Sequence, residues 1–390
     1  MGINIQGLRR LHEAACRDRN PRRFFADLSE SLEKKELRPS EFSIRQLFEN
    51  FVEDGRELAD SFNPRHGGGV NLVESGAAVD TSAFSNITGQ IVYSAIMESY
   101  QSEEFVFSNL IPSQPTSFNG EKIPGIGQIG DKAEIVDEMG TYPTVGVNED
   151  WIETPQTTKR GLIVPVTKEA IFFDRTGILL QQCGDVGTSL GINREKRAID
   201  CVVDENSTTH RYKWRGTTYA TYQASTPWVN VQASNGLVDW TDVDAAEQLF
   251  DNMVDPNTGE PIMVMAKDLI VTRQRLQAAR RVLTATTLRT ATPGYATSGT
   301  PTETEWANPV NGYTIRWSRL LAARMATDTT WYIGDVAKAF KYMENWPLTV
   351  VTAPANSEAE FTQDIVQRYK VSDRGTFSTW EPRAMVKCTE

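Results

Sequence analysis

The stretch EKIPGIGQIGDKAE, residues 121–134, carries Gly125, Gly127 and Gly130 in the spacing G-x-G-x-x-G. That spacing seats a dinucleotide pyrophosphate on a helix N-terminus when an apolar strand runs into the first glycine and a helix opens at the last. Neither flank fits. NGEKIP precedes Gly125, with Pro124 where a strand would deliver its last residues. DKAEIVDEMG follows Gly130 and puts carboxylates where phosphates would dock. The glycines therefore mark turns in an extended, irregular segment, and a nucleotide-binding enzyme resting on Gly125–Gly130 is the weaker alternative.

Working outward, turn residues are frequent from Pro115 to Val166, and strand-like pieces appear only in YPTVGVNEDWIETP and KRGLIVPVT. A hairpin with so few large apolar side chains is marginal in water by itself. This arm is expected to be stable only against the rest of the chain or against another copy. Its charge is lopsided: Glu121, Asp131, Glu134, Asp137, Glu138, Glu149, Asp150 and Glu153 face Lys122, Lys132, Lys159 and Arg160.

Helical patterns flank the arm. Residues 1 to about 66 read as polar and helical, with Phe42, Ile44, Leu47, Phe48, Phe51, Val52 and Leu58 along one side of a helix. Gly67, Gly68 and Gly69 then form a linker. FSNITGQIVYSAIMESYQS places Ile87, Ile91, Val92, Ala95 and Ile96 at helical spacing. Beyond the arm, Leu179, Cys183, Val186, Leu190, Ala198, Cys201 and Val202 predict one long helix from Thr176 to about Asp204. Gly184, Gly187 and Gly191 sit inside it, each costing up to about 1 kcal/mol against alanine. Close approach of another backbone along a small-residue groove, or a break near Gly191, would account for them. Arg194, Lys196 and Arg197 form a basic cluster on this helix.

The remainder reads as mixed α and β. TDVDAAEQLFDNM opens with capping-box spacing at Thr241 and Asp244. PIMVMAKDLIVT reads as a buried strand, and RQRLQAARRVL as a helix capped by Thr272. DPNTGE, 255–260, is similar to a calcium loop, but its misplaced glycine and missing acid make it a turn. The Thr/Ala/Gly/Pro stretch 284–308 reads as a mobile loop. Strands resume in GYTIRWSRLL, TTWYIGD, WPLTVVTAP and DIVQRYKVSDRGTFSTW.

Composition narrows the function classes. The 390 residues carry a formal charge of −11, which disfavours a broad nucleic-acid-binding surface. A local exception is Arg9, Arg10, Arg17, Arg19, Arg22 and Arg23, either a solvated helix start or a contact with DNA or scaffold. Only His12, His66 and His210 are available, none beside another ligand, so metal binding and histidine catalysis have little to draw on. No metal, cofactor or catalytic residue is expected. Cys16, Cys183, Cys201 and Cys388 lie far apart and read as reduced thiols. No apolar run approaches a membrane span and no secretory signal is visible.

NITGQIVYSAIMESY, GEKIPGIGQIGDKAE, YPTVGVNEDWIETPQTTKRGLIVPVTKEAIFFDRTG, GINREKRAID and WYIGDVAKAFKYMENWPLTVV occur in an order that resembles the major capsid protein of tailed phages. That family has the α+β Hong Kong 97-like fold, shared with encapsulin nanocompartments, and the resemblance is to its Mu-like prophage major head subunit type. It implies a helical N-terminal extension over 1–80 and a first part of a peripheral domain over 81–115. An extended β-hairpin loop would follow over 116–165, then a spine helix with more of the peripheral domain over 166–255. An axial domain would occupy 256–335, and strands returning to the peripheral domain 336–390. The implied function is non-enzymatic: self-assembly through hexamers and pentamers into an icosahedral shell around dsDNA, with an encapsulin-type shell as the alternative. Copies of the chain are the partners, with portal, scaffold or decoration proteins, weak non-specific contact with packaged DNA and no membrane. The implied location is the virion, assembled in the bacterial host cytoplasm. In that setting the acidic residues Glu134, Asp137, Glu138, Glu149, Asp150 and Glu153 are expected to meet Arg194, Lys196 and Arg197 of a neighbouring copy.

Overall fold

The computed structural model describes residues 8, 28, 30–32, 34, 43–51, 78–126, 135–142, 150–167, 178–205, 212–256, 258–285, 287–292, 302–310, 312–353 and 365–390. Its main helices are α1 (Ile44–Phe51), α2 (Ala78–Tyr100), α3 (Val106–Leu110), α4 (Ile178–Val203), α5 (Trp240–Asp251), α6 (Leu276–Thr284) and α7 (Val336–Ala339). The strands up to the middle of the chain are β1 (Ser113–Pro115), β2 (Lys122–Pro124), β3 (Trp151–Glu153), β4 (Thr158–Thr167), β5 (Tyr212–Trp214), β6 (Thr217–Tyr219) and β7 (Val231–Gln232). Those that follow are β8 (Asp268–Ile270), β9 (Thr287–Thr292), β10 (Thr302–Ala307), β11 (Thr314–Arg316), β12 (Trp331–Gly334), β13 (Phe340–Thr352), β14 (Ile365–Thr379) and β15 (Met385–Cys388). The chain divides into two compact units, and α4, β13 and β14 contribute residues to both. The glycine linker 67–69 lies outside the described residues.

One unit comprises Met1–Ser102, Lys159–Asn193 and Trp346–Arg374. Helix α1 starts with a reciprocal cap, in which the Gln46 N–H donates to Ser43 Oγ and the Ser43 N–H to Gln46 Oε1. It packs on α2, whose Ile91, Val92, Ala95, Ile96 and Tyr100 are buried at helical spacing. The first half of α4 runs against α2 without a break. A Cβ on Gly187 would stand 2.3 Å from the Ile96 carbonyl oxygen, so only glycine admits this approach of two backbones. At Gly184 the nearest atom is Ser99 Oγ, 3.2 Å away, a side chain able to turn aside.

The other unit comprises Glu103–Thr158, Arg194–Asn345 and Gly375–Glu390. Its centre is a five-stranded sheet, order β11-β8-β12-β15-β7, with β12 antiparallel to both neighbours and the outer pairs parallel. Alternation sends successive residues to opposite faces. Tyr332 and its cross-strand partner Ile270 join a core with Ala198, Ile199, Cys201 and Val202 of α4. Trp331, Ile333 and Leu269 join a second core with Val243 and Phe250 of α5 and with Leu276 and Ala279 of α6. Both faces are covered, so WYIG is buried at every residue.

Four local expectations shift. Helix α5 is capped two residues earlier than expected, by Asp239, with Asp242 closing the box, and Thr241 donates to Asp239 instead of capping. Helix α6 begins at Leu276 behind Arg275, because the Thr272 hydroxyl donates to the Asp328 carbonyl oxygen at 2.6 Å and is not available as a cap. In PIMVMAKDLIVT only Asp268–Ile270 is paired as a strand. Residues 284–308 contain an antiparallel ribbon, β9 with β10, where a loop was expected. Threonine-rich strands suit a pleated ribbon despite their few apolar groups. The turn at DPNTGE is present: Asp255 accepts from the Thr258 N–H and hydroxyl, and Gly259 has φ +73°.

Candidate functional site

In the arm, β2 and β3 pair antiparallel from Lys122↔Glu153 to Pro124↔Trp151. The sheet does not end there. Strand β3 pairs with β5 and β5 with β6, so sequence-distant strands extend the hairpin to four. Ile126, Ile152, Tyr212, Trp214 and Trp228 form a small buried core beneath it, with Tyr212 edge-on to Trp228 at 5.3 Å between ring centroids. This agrees with the expectation that the arm cannot bury a core by itself: its base packs on Tyr212, Trp214 and Trp228 from the rest of the chain.

Polar contacts lock the base. Asp150, with its side chain 3% exposed, accepts from Trp214 Nε1 at 2.6 Å and from Arg215 Nε at 2.9 Å. Its backbone oxygen accepts from the Gly125 N–H at 2.9 Å, and a Cβ on Gly125 would lie 2.5 Å from the Asp150 carboxyl carbon. That close approach explains the first glycine of the opening stretch; Gly127 and Gly130 lie outside the described residues. Glu153 pairs with Lys213 and with Lys122. Arg383, 1% exposed, sits behind the base. Its guanidinium donates to the Ile126 carbonyl oxygen at 2.7 Å, to both Glu381 oxygens at 2.7 and 2.9 Å, and to Asp255 at 3.3 Å. Burial alone would lower its pKa, but the Glu381 hydrogen bond and the Glu381 and Asp255 charges outweigh burial and raise it.

Residues 135–142 of the arm differ in character. Ile135 (99%), Met139 (101%) and Tyr142 (83%) are almost wholly exposed, beside exposed Asp137 and Glu138. Bare apolar side chains of this kind have the character of an interaction surface.

Of the residues expected in the acidic-to-basic contact, Asp150 and Glu153 also have partners within their own chain. Glu134, Glu149 and the arginines at 9, 10, 17, 19, 22 and 23 lie outside the described residues. On α4, Arg194 is half-buried over the Tyr342 ring at 4.6 Å, Arg197 is half-buried, and Lys196 is exposed. Between them lies Glu195, fully buried, which accepts from the backbone N–H groups of Phe107 (3.0 Å) and Ser108 (2.8 Å) at the start of α3. Sequence reasoning missed Glu195 inside a basic run, and Arg383 entirely. Glu195 has no local signal, because its partners are remote in sequence, and for Arg383 only the neighbouring Glu381 is local, while Asp255 and Ile126 are not.

The chain matches the phage capsid protein family over residues 152–388, more than half its length, and it belongs to that family. No curated protein sequence matches it. Among solved structures it is similar to the capsid of the cyanophage P-SCSP1u, at 11% identity and TM-score 0.45, covering 73% of this chain and 88% of that one. It is also similar to a phage-related protein from Bordetella bronchiseptica, at 15% identity and TM-score 0.41, covering 76% and 95%. A third is an encapsulin from Synechococcus elongatus, at 11% identity and TM-score 0.41, covering 74% and 87%. The α+β architecture and the family membership agree with the Hong Kong 97-like capsid fold expected above. Among the described residues no helix is long and apolar enough to cross a membrane.

Proposed function

We propose that this phage capsid protein is the major shell subunit, assembling through hexamers and pentamers into an icosahedral head around dsDNA, and that the arm tip closes the ring. The observation that carries this reading is the exposed Ile135, Met139 and Tyr142 on a base held by Asp150 and Arg383. Ring closure uses head-to-tail contacts, in which a protruding element of one copy meets a different surface of the next. Burying each of the three side chains on a neighbour contributes about 1.5–3 kcal/mol, repeated at every subunit. The ionic part of the contact narrows to Asp137 and Glu138 on the tip and Lys196 on α4, worth about 0–1 kcal/mol per exposed pair.

In the same reading residues 256–335 are the axial domain, with the β9–β10 ribbon near the capsomer axis. The net charge of −11 keeps DNA from adhering to the wall, and the N-terminal arginines supply the local contact with DNA, scaffold or portal. The work is done by surfaces, in the virion, after assembly in the host cytoplasm.

The test replaces Ile135, Met139 and Tyr142 together by serine and follows assembly by sedimentation. The expected outcome is a folded chain that no longer forms shells. Shells at wild-type yield would refute the role of the tip.

A further inference from the structure

The sequence holds three Asn-Gly steps, at 119–120, 235–236 and 311–312, and the structure describes both residues of the first two. In such a step the side-chain amide is open to attack by the next backbone nitrogen, because glycine puts no Cβ in the way. The first step, just ahead of β2, is set up for that attack. Asn119 is exposed, and its side-chain oxygen accepts twice from Thr157, from the N–H at 2.9 Å and from the hydroxyl at 3.1 Å. Thr157 is buried, so both donors are held in place. Gly120 has φ +82°, and among the described residues its N–H has no acceptor. Paired, fixed donors on one carbonyl oxygen are the arrangement that stabilises the oxyanion of acyl transfer. The second step lacks it. Asn235 is 2% exposed and its side-chain oxygen has no donor among the described residues. Its Nδ2 donates to the Asp242 carbonyl oxygen and its backbone N–H to that of Thr389, both at 2.8 Å.

We propose that Asn119 is a self-modification site, deamidated by intramolecular acyl transfer to the Gly120 nitrogen with Thr157 as the oxyanion donor. The Gly120 nitrogen attacks Asn119 Cγ and gives its proton to solvent. Asn119 Oδ1 carries the negative charge of the tetrahedral intermediate, under the N–H and hydroxyl of Thr157. The bond from Cγ to Nδ2 then breaks, and the nitrogen leaves as ammonia with a proton taken from water. The cyclic succinimide adds one water and opens at either carbonyl, to aspartate or to isoaspartate. Nucleophile and electrophile belong to adjacent residues, so the step is unimolecular and water is the only co-reactant. The site belongs to the folded chain and does not depend on assembly. Its product bears on the arm. Isoaspartate carries a Cβ in the main chain and adds a carboxylate close to Glu121, whose N–H and carbonyl oxygen are both bonded to Thr154 at 2.9 Å. Deamidation therefore alters the backbone where β2 begins.

The test holds the folded full-length chain in mildly alkaline buffer and follows both asparagines by peptide mass spectrometry, with aspartate and isoaspartate forms resolved by chromatography. Asn119 should convert at least about tenfold faster than Asn235. Thr157→Val keeps the N–H and removes the hydroxyl, and should slow conversion at Asn119 by about two- to tenfold. Thr157→Ser restores a hydroxyl and should convert at the wild-type rate. A comparison that needs no variant sets the folded wild-type chain against the same chain in urea. Asn119 should convert at least as fast folded as unfolded, whereas Asn235 should be slower folded. An Asn119 that stays intact, or converts no faster than Asn235, would overturn the site. Conversion of folded Thr157→Val at the wild-type rate, or slower conversion of Asn119 in the folded wild type than in urea, would overturn the assistance by Thr157 and the proposal with it.

Discussion

Gly187 and Gly184 offer a paired test of how α4 meets α2, because the same substitution should have opposite signs three residues apart. In Gly187→Ala the new Cβ lies 2.3 Å from the Ile96 carbonyl oxygen, about 1 Å inside ordinary contact. A backbone oxygen cannot rotate away, so the helices must part. Overpacking of this kind costs about 1–3 kcal/mol, and the upper half applies to a backbone clash. Alanine returns about 1 kcal/mol of helix propensity. The net loss is about 1–2 kcal/mol. In Gly184→Ala the obstacle is Ser99 Oγ at 3.2 Å, which turns aside, so the propensity gain survives. Thermal unfolding followed by circular dichroism, at one protein concentration and buffer because assembly shifts apparent stability, is the assay. At about 2–4 °C per kcal/mol for a unit of this size, Gly187→Ala should unfold about 2–8 °C below wild type. Gly184→Ala should unfold at or above it. If Gly187→Ala matched or exceeded wild type, the packing argument for α4 would be wrong.

The remaining predictions concern the arm base, the α3 cap and the buried thiols. Arg383→Met leaves Asp255 and the Ile126 carbonyl oxygen buried without their cation, which should cost about 3–5 kcal/mol and open residues 121–153 to limited proteolysis; an arm cleaved no faster than in wild type would refute the clamp. Glu195→Ala leaves two buried N–H groups at the start of α3, for a loss of about 1–3 kcal/mol in urea unfolding; unchanged unfolding would refute the cap. Burial pushes the Cys183 thiol up to about 11, and burial likewise raises Cys201 and Cys388. The folded chain then keeps protons that the unfolded chain releases above its ordinary thiol value of 9.0. Stability is therefore full below that value and falls as pH rises through it, by up to about 1.4 kcal/mol per pH unit for each thiol. In a Cys16→Ser background these thiols should ignore a thiol reagent at pH 8 until urea is added, and rapid reaction of the native chain would contradict their burial.

Periodicity made much of this fold legible. The buried face of α2 and the unbroken α4 were readable from apolar spacing, since a helix must place one stripe against a neighbour. Of the interior glycines, Gly187 fits the reading of close backbone approach, while Gly184 faces a side chain. Caps were harder. Several hydroxyls and carboxylates stood near each helix start, and tertiary demands decided among them, as when Thr272 turned to Asp328. The arm base was hidden for a different reason. Arg383 reaches Asp255 and Ile126, which are 128 and 257 positions away, and Glu195 reaches α3 across 87 and 88 positions. Contacts of that range leave no trace in a local window. The contacts of Asp150 with Trp214 and Arg215, 64 and 65 positions away, were hidden for the same reason.

Electron cryomicroscopy of the purified full-length chain tests the central claim most directly. The account predicts closed shells of hexamers and pentamers, with density for residues 135–142 lying on an adjacent subunit. A population of solitary chains that never associate, at any concentration that keeps the protein folded, would contradict it.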